Sequence, residues 1–242
     1  MIWWITGFSI LGSIGSVLGA GLLLLFPKRM RDAVLPWLLS YATGTLLGAA
    51  FLALVPEALA RTTPSQVSFI LLAGILAFFL LEKFMLWRHC HTPARAGHGS
   101  AGPLVLIGDG FHNFADGVVI AAAFLSSIPL GVSAALAIIA HEISQEVGDF
   151  AILLNSGYGR ARALFLNTLS ASTTLVGALL ASLWLAQAMV AVPYVLAFSA
   201  ASFIYIAMAD LVPLLHRQAT PFAALAQFAM ILGGIGTILL LS

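Results

Sequence analysis

Apolar residues run along this chain in eight stretches, separated by short polar punctuation. A hydrocarbon core asks for about 20 apolar residues per helix. The pattern predicts spans at Ile2–Phe26, Val34–Ala60, Val67–Trp87, Leu104–Leu125, Leu130–Leu154, Ala163–Ala186, Val190–Leu215 and Phe222–Leu241. The expected fold is an all-α integral membrane protein, a single multi-pass domain over residues 1–242 embedded in a lipid bilayer. The opening MIWWITGF has neither a basic region nor a small-residue cleavage site, so it is expected to be the first mature helix rather than a signal peptide.

Composition excludes the soluble classes. The 242 residues are 61% hydrophobic and 8% charged, with mean hydropathy +1.07, whereas soluble domains carry about 25% charged residues. Cys90 is the only cysteine, which rules out an intrachain disulfide and a thiolate-rich metal site, so any metal must be held by nitrogen and oxygen. The net charge of +1 is scattered through the loops, and no nucleic-acid partner is expected.

The ten basic residues orient the spans, because Lys and Arg in short loops stay on the cytoplasmic side. Lys28, Arg29 and Arg31 follow the first span; Lys83, Arg88 and Arg95 end or follow the third; Arg160 and Arg162 follow the fifth; Arg217 follows the seventh. Only Arg61 falls on the other side, so both termini are expected outside the cytoplasm. The compact loops suit a plasma membrane of the bacterial inner-membrane type. Residues 88–103 then form a flexible cytoplasmic loop whose His89, His91 and His98 either bind metal transiently or are incidental to a solvated linker.

Seven of the nine carboxylates fall inside the spans: Glu57, Asp109, Asp116, Glu142, Glu146, Asp149 and Asp210. Each costs at least a few kcal/mol at mid-membrane, so they mark function. Residues three or four apart share a helix face. On the fourth span His112 and Asp116 pair at i, i+4, with Asn113 beside them and Asp109 one turn nearer the cytoplasm; on the fifth, His141 pairs with Gln145 and Glu142 with Glu146, continued by Asp149. At about 1.5 Å per residue, both histidines reach mid-bilayer, while Asp109 and Asp149 mark an acidic path towards the cytoplasm. Imidazole with carboxylate and amide oxygen suits Zn²⁺, Fe²⁺, Mn²⁺ or Co²⁺ held exchangeably. The plainer alternative is a pair of core histidines satisfied by neighbouring carboxylates.

HNFADG followed by HEISQEVGDFAIL resembles the ZIP (Zrt/Irt-like) family of divalent-metal transporters, and the resemblance covers all eight spans. LGAAFLALVPEAL and FIYIAMADLVPLLH, in the second and seventh spans, fit the same family. The resemblance implies transport of a divalent cation, most commonly zinc and in some members iron, manganese or cadmium, through a midplane and often binuclear site. One metal would take His112, His141 and Gln145; the other Asn113, Asp116 and Glu142, with Glu146 close by. It also implies alternating access, a homodimer, and an inverted repeat of helices 1–3 and 6–8 around the central pair. Ala50, Leu54, Val55 and Pro56 align at one offset with Ala207, Leu211, Val212 and Pro213. The chain departs from the family where the fifth-span motif usually reads His-Glu-Ile-Pro-His-Glu: Ser144 and Gln145 replace the proline and second histidine.

Pro56 and Pro213 free a carbonyl and are candidates to bend their helices, whereas Gly110 and Gly117 read first as packing positions. Glu57 and Asp210, beside those prolines, are either path residues or interfacial carboxylates. No cofactor is expected beyond the transported ion. The competing function is an intramembrane metal-dependent hydrolase, because His141-Glu142 begins like the zinc motif H-E-x-x-H; Gln145 stands where that motif needs its second histidine.

Overall fold

The computed structural model describes residues 1–90, 101–217 and 220–241, the side chains of 85–90, 101 and 104 excepted. Of the histidines expected in the loop, His89 lies in the last turn of the third helix, its side chain not described, and His91 and His98 lie outside the described residues. Helices α1 (Ile2–Leu25), α2 (Lys28–Arg61), α3 (Pro64–Cys90), α4 (Ala101–Ser126), α5 (Ile128–Asn155), α6 (Arg160–Gln187), α7 (Met189–Leu215) and α8 (Pro221–Leu241) follow one another, with no strand among the described residues. Among the described residues, seven helices, α1–α3 and α5–α8, are long and apolar enough to cross a membrane. Helix α4 carries Asp109, His112, Asn113 and Asp116 along an otherwise apolar sequence. Helix α2 begins at Lys28, so Asp32 lies inside a helix rather than in the loop expected for it.

Helices α4 and α5 form a hairpin joined by Ser127 alone, whose side chain accepts from the Leu130 amide at 3.3 Å and caps α5. The turn is tight because Gly131 lies against the Phe124 ring, where a Cβ would collide. Helix α6 crosses α4 closely at two glycines. A Cβ on Gly117 would meet the Thr174 and Ala178 backbone, and one on Gly177 the Phe114 backbone. Gly117 therefore has the packing role expected of it. Gly110 has more room: a Cβ there would lie 3.4 Å from Ser170 Oγ.

The two proline-bearing helices are irregular in the same way. A proline ring collides with the carbonyl four residues earlier and offers no N–H to it; one widened π-type turn relieves both problems. Such turns span Ala49–Leu54, just before Pro56, and Ile206–Leu211, just before Pro213. The shift that carries the first turn onto the second also carries Pro36 onto Pro193. Helix α3 packs on α7 and α8 on α2. At the α3–α7 crossing Gly74 meets Ala201, and at the α8–α2 crossing Ile231 meets Gly44. The same shift relates Gly74 to Ile231 and Gly44 to Ala201, so the two crossings use equivalent positions.

Candidate metal centre

The hairpin brings the predicted faces of α4 and α5 together. His112 and His141 meet edge-on, ring centroids 5.4 Å apart, with their Nε2 atoms at 3.2 Å. His112 Nε2 lies 3.3 Å from Glu142 Oε1 and 3.8 Å from Asp116 Oδ2; His141 Nε2 lies 3.3 Å from Asp116 Oδ2 and 3.6 Å from Glu142 Oε1. Four donors at about 2.0–2.1 Å from a tetrahedral zinc ion stand about 3.3–3.4 Å from one another. Five of the six edges of this two-nitrogen, two-oxygen group lie between 3.2 and 3.8 Å, near that edge length, and all four donors lie within 4.8 Å of one another.

Local bonds aim the group. His141 Nδ1 sits 2.9 Å from the Ala137 carbonyl, which only accepts, so Nδ1 carries the hydrogen and Nε2 keeps its lone pair for a metal. Asp116, His141 and Glu142 are buried, and His112 keeps 21% of its side chain exposed, making it the accessible corner. Apart from the imidazole nitrogens, Asp116 Oδ2 and both Glu142 carboxylate oxygens have no hydrogen-bond partner among the described residues. Buried carboxylate oxygens are costly unless compensated, and a cation shared among the four donors would compensate them.

A second group adjoins the first on the side of the α4 start and the α5 end. Asp109, Glu142 and Glu146 each offer an oxygen within 4.8 Å of the others, with Glu142 common to both groups. Asp109 Oδ1 accepts from Asn113 Nδ2 at 2.9 Å and from Gln145 Nε2 at 3.2 Å. Asp149, one helical turn beyond Glu146, comes close to Asp109 and extends the acidic row. The grouping differs from the partition the resemblance implied. Asp116 and Glu142 stand with both histidines, while the amide nitrogens of Asn113 and Gln145 donate to Asp109.

The other candidates lie elsewhere. Glu57, at the far end of α2, pairs with Arg61 at 2.7 Å and accepts from Ser126 Oγ at 2.6 Å. Asp210 is exposed on the α7 π-turn and belongs to neither group. Sequence reasoning missed the polar row of α6. Asn167 donates to the Glu146 carboxylate, and the Thr174 hydroxyl donates to Asn113 Oδ1 at 2.7 Å. Asn167, Ser170 and Thr174 recur at helical spacing in an otherwise apolar span, and that was the available signal. Tyr205 on α7 donating to Glu82 on α3 was also unforeseen.

A family profile described as the ZIP zinc transporter matches residues 87–242. The chain belongs to the ZIP zinc transporter family. Zinc transporter ZIP13 of Pongo abelii is 35% identical over 97% of this chain and 77% of its own length. Zinc transporter SLC39A7 of Rattus norvegicus is 29% identical over 87% of this chain and 65% of its own. Zinc transporter YKE4 of Saccharomyces cerevisiae is 30% identical over 79% of this chain and 64% of its own. Family membership removes the hydrolase alternative: the relatives are named transporters, and Gln145, where H-E-x-x-H needs a histidine, is bonded to Asp109 instead.

Proposed function

We propose that this ZIP family chain moves divalent transition-metal cations, zinc first and also iron, manganese or cadmium, across its membrane towards the cytoplasm. The observation that carries this reading is the cluster of His112, Asp116, His141 and Glu142, five of whose six donor separations lie near the edge of a tetrahedral zinc site. Two imidazoles and two carboxylates, without thiolate, bind such ions firmly enough to desolvate them and loosely enough to exchange them. Asp109, Glu146 and Asp149 provide the second cation position and the exit row, with Asn113 and Gln145 orienting Asp109. Asp210 and Glu57 lie at the inner and outer approaches.

In this reading the chain crosses the bilayer eight times with both ends outside the cytoplasm, supported by nine of ten basic residues on one set of loops. Helices 1–3 and 6–8 form an inverted repeat, supported by the paired π-turns and the equivalent glycine crossings. Such repeats serve alternating access around a midplane site. The reading extends to a homodimer in a bacterial-type inner membrane, with the connection between α3 and α4 on the cytoplasmic side. The experiment is uptake of Zn²⁺, Fe²⁺, Mn²⁺ and Cd²⁺ into liposomes holding the purified chain, against His112→Ala/His141→Ala. Uptake by the wild type and none by the double variant is expected; equal uptake by both overturns the assignment.

A further inference from the structure

Helix α6 gives no side chain to either donor group, yet two of its residues end on them. Thr174 is fully buried, with its hydroxyl on Asn113 Oδ1 at 2.7 Å. Asn167, seven residues earlier on the same face, places Nδ2 on the Glu146 carboxylate and 3.3 Å from the Glu146 carbonyl oxygen. The chemistry of its neighbours fixes which way the Asn113 amide points. The arm facing Asp109 lies 2.9 Å from the carboxylate Oδ1 and 3.2 Å from the main-chain oxygen. Both neighbours only accept, so that arm is the NH₂. The amide oxygen therefore faces α6, where Thr174 meets it.

We infer, on the transport reading above, that Thr174 and Asn167 are positioning residues for the cation, Thr174 holding the Asn113 amide and Asn167 the Glu146 carboxylate. The bonds run from Thr174 to Asn113 to Asp109 on one arm, and from Asn167 to Glu146 on the other. With Asn113 and Gln145 both donating to Oδ1 of Asp109, its Oδ2 is the oxygen with no hydrogen-bond partner. Asn167 leaves Glu146 Oε1 in the same condition. Helix α6 thus fixes which oxygen of each acid is free to meet a cation beside Glu142. Thr174→Val keeps the shape of the side chain and frees the Asn113 amide to swing, so Asp109 loses one fixed donor.

The test is zinc-dependent uptake by liposomes holding the full chain. Losing one buried hydrogen bond is expected to raise the KM of Thr174→Val for Zn²⁺ about fivefold to tenfold, with kcat within about twofold of wild type. Thr174→Ser, which keeps the hydroxyl, returns KM to within about twofold. In an Asn113→Leu background, Thr174→Val adds no further loss, since the relay is already cut; calorimetric zinc Kd replaces KM where turnover is low. Asn167→Leu reads the second arm by the same rise in KM, and does so if Thr174→Val cannot be recovered folded. An unmoved KM in Thr174→Val or Asn167→Leu, a Ser variant as impaired as the Val variant, or additive losses with Asn113→Leu overturn the inference. Wild type that moves no zinc instead sinks the transport reading beneath it.

Discussion

Glu142 belongs to both donor groups, and Glu142→Gln keeps its size while removing its charge. A dication among two neutral imidazoles and two carboxylates is electrically balanced; with glutamine, one positive charge is left uncompensated at a fully buried position. Breaking a buried charge pair by removing one partner costs about 3–5 kcal/mol, so zinc affinity should fall by about a hundredfold or more. Asp116→Asn removes the same charge from the four-donor group but leaves Asp109, Glu142 and Glu146 untouched. Both variants should lose high-affinity binding, and Glu142→Gln should also abolish any weaker second binding event that Asp116→Asn retains. The assay is titration calorimetry with Zn²⁺ on purified protein in detergent, with thermal unfolding recorded to show that each variant is folded. Glu142→Gln binding zinc within about threefold of wild type, or matching Asp116→Asn in every binding event, would refute the reasoning.

Further outcomes follow from packing and from the α3–α7 bond. Gly117→Val drives a branched side chain into the Thr174 and Ala178 backbone, and should destabilise the fold by about 1–3 kcal/mol. Gly148→Ala, with nothing within 4 Å of its Cβ, should leave the melting temperature unchanged or slightly raised in the same unfolding assay. Tyr205→Phe removes the donor to Glu82 between α7 and α3. It should lower stability by about 1 kcal/mol and leave zinc KM unchanged, since neither residue belongs to a donor group; a shifted KM would count against that placement.

Much of the centre could be read from one dimension because helical periodicity is strict. His112 with Asp116, and Glu142 with Glu146, share faces by spacing alone, and a one-residue turn at Ser127 leaves two antiparallel helices little choice of partner face. Which face residue becomes a corner of the group was not legible. Asn113 and Gln145 are ligand-type residues at ligand-type positions, yet in this structure both donate to Asp109, and the Asn113 amide oxygen takes the hydroxyl of Thr174 on α6, far along the chain. The π-turns were half legible: the prolines marked where each helix must yield, while the choice of a widened turn over a kink depends on what packs beside it. The start of α2 was placed too late because Lys28, Arg29, Arg31 and Asp32 read as loop by polarity alone, whereas a helix can extend through charged residues outside the apolar span.

The donors and their braces sit on one set of helices, and this bears on movement. Helices α4 and α5 hold every corner of both groups, and α6 locks to α4 at Gly117 and Gly177 while bracing Asn113 and Glu146. Helices α2, α3, α7 and α8 pair through their own glycine crossings. Motion of the first set as a body keeps the coordination intact, whereas motion within it breaks the centre. At the end of the hairpin one polar contact ties the sets together: Ser126 Oγ on α4 to Glu57 Oε1 on α2 at 2.6 Å, with Arg61 bound to both residues. In a Cys90→Ser background, an oxidised Glu57→Cys/Ser126→Cys pair should arrest zinc uptake and leave zinc affinity within about threefold. Gly110→Cys/Ser170→Cys, which joins α4 to α6 inside the first set where a Cβ on Gly110 lies 3.4 Å from Ser170 Oγ, should leave uptake largely intact when oxidised. Gel-shift quantification of each disulfide, followed by uptake before and after reduction, distinguishes the cases. Uptake through a fully oxidised 57–126 pair, or equal arrest by the 110–170 pair, would show that the two sets do not move as separate bodies.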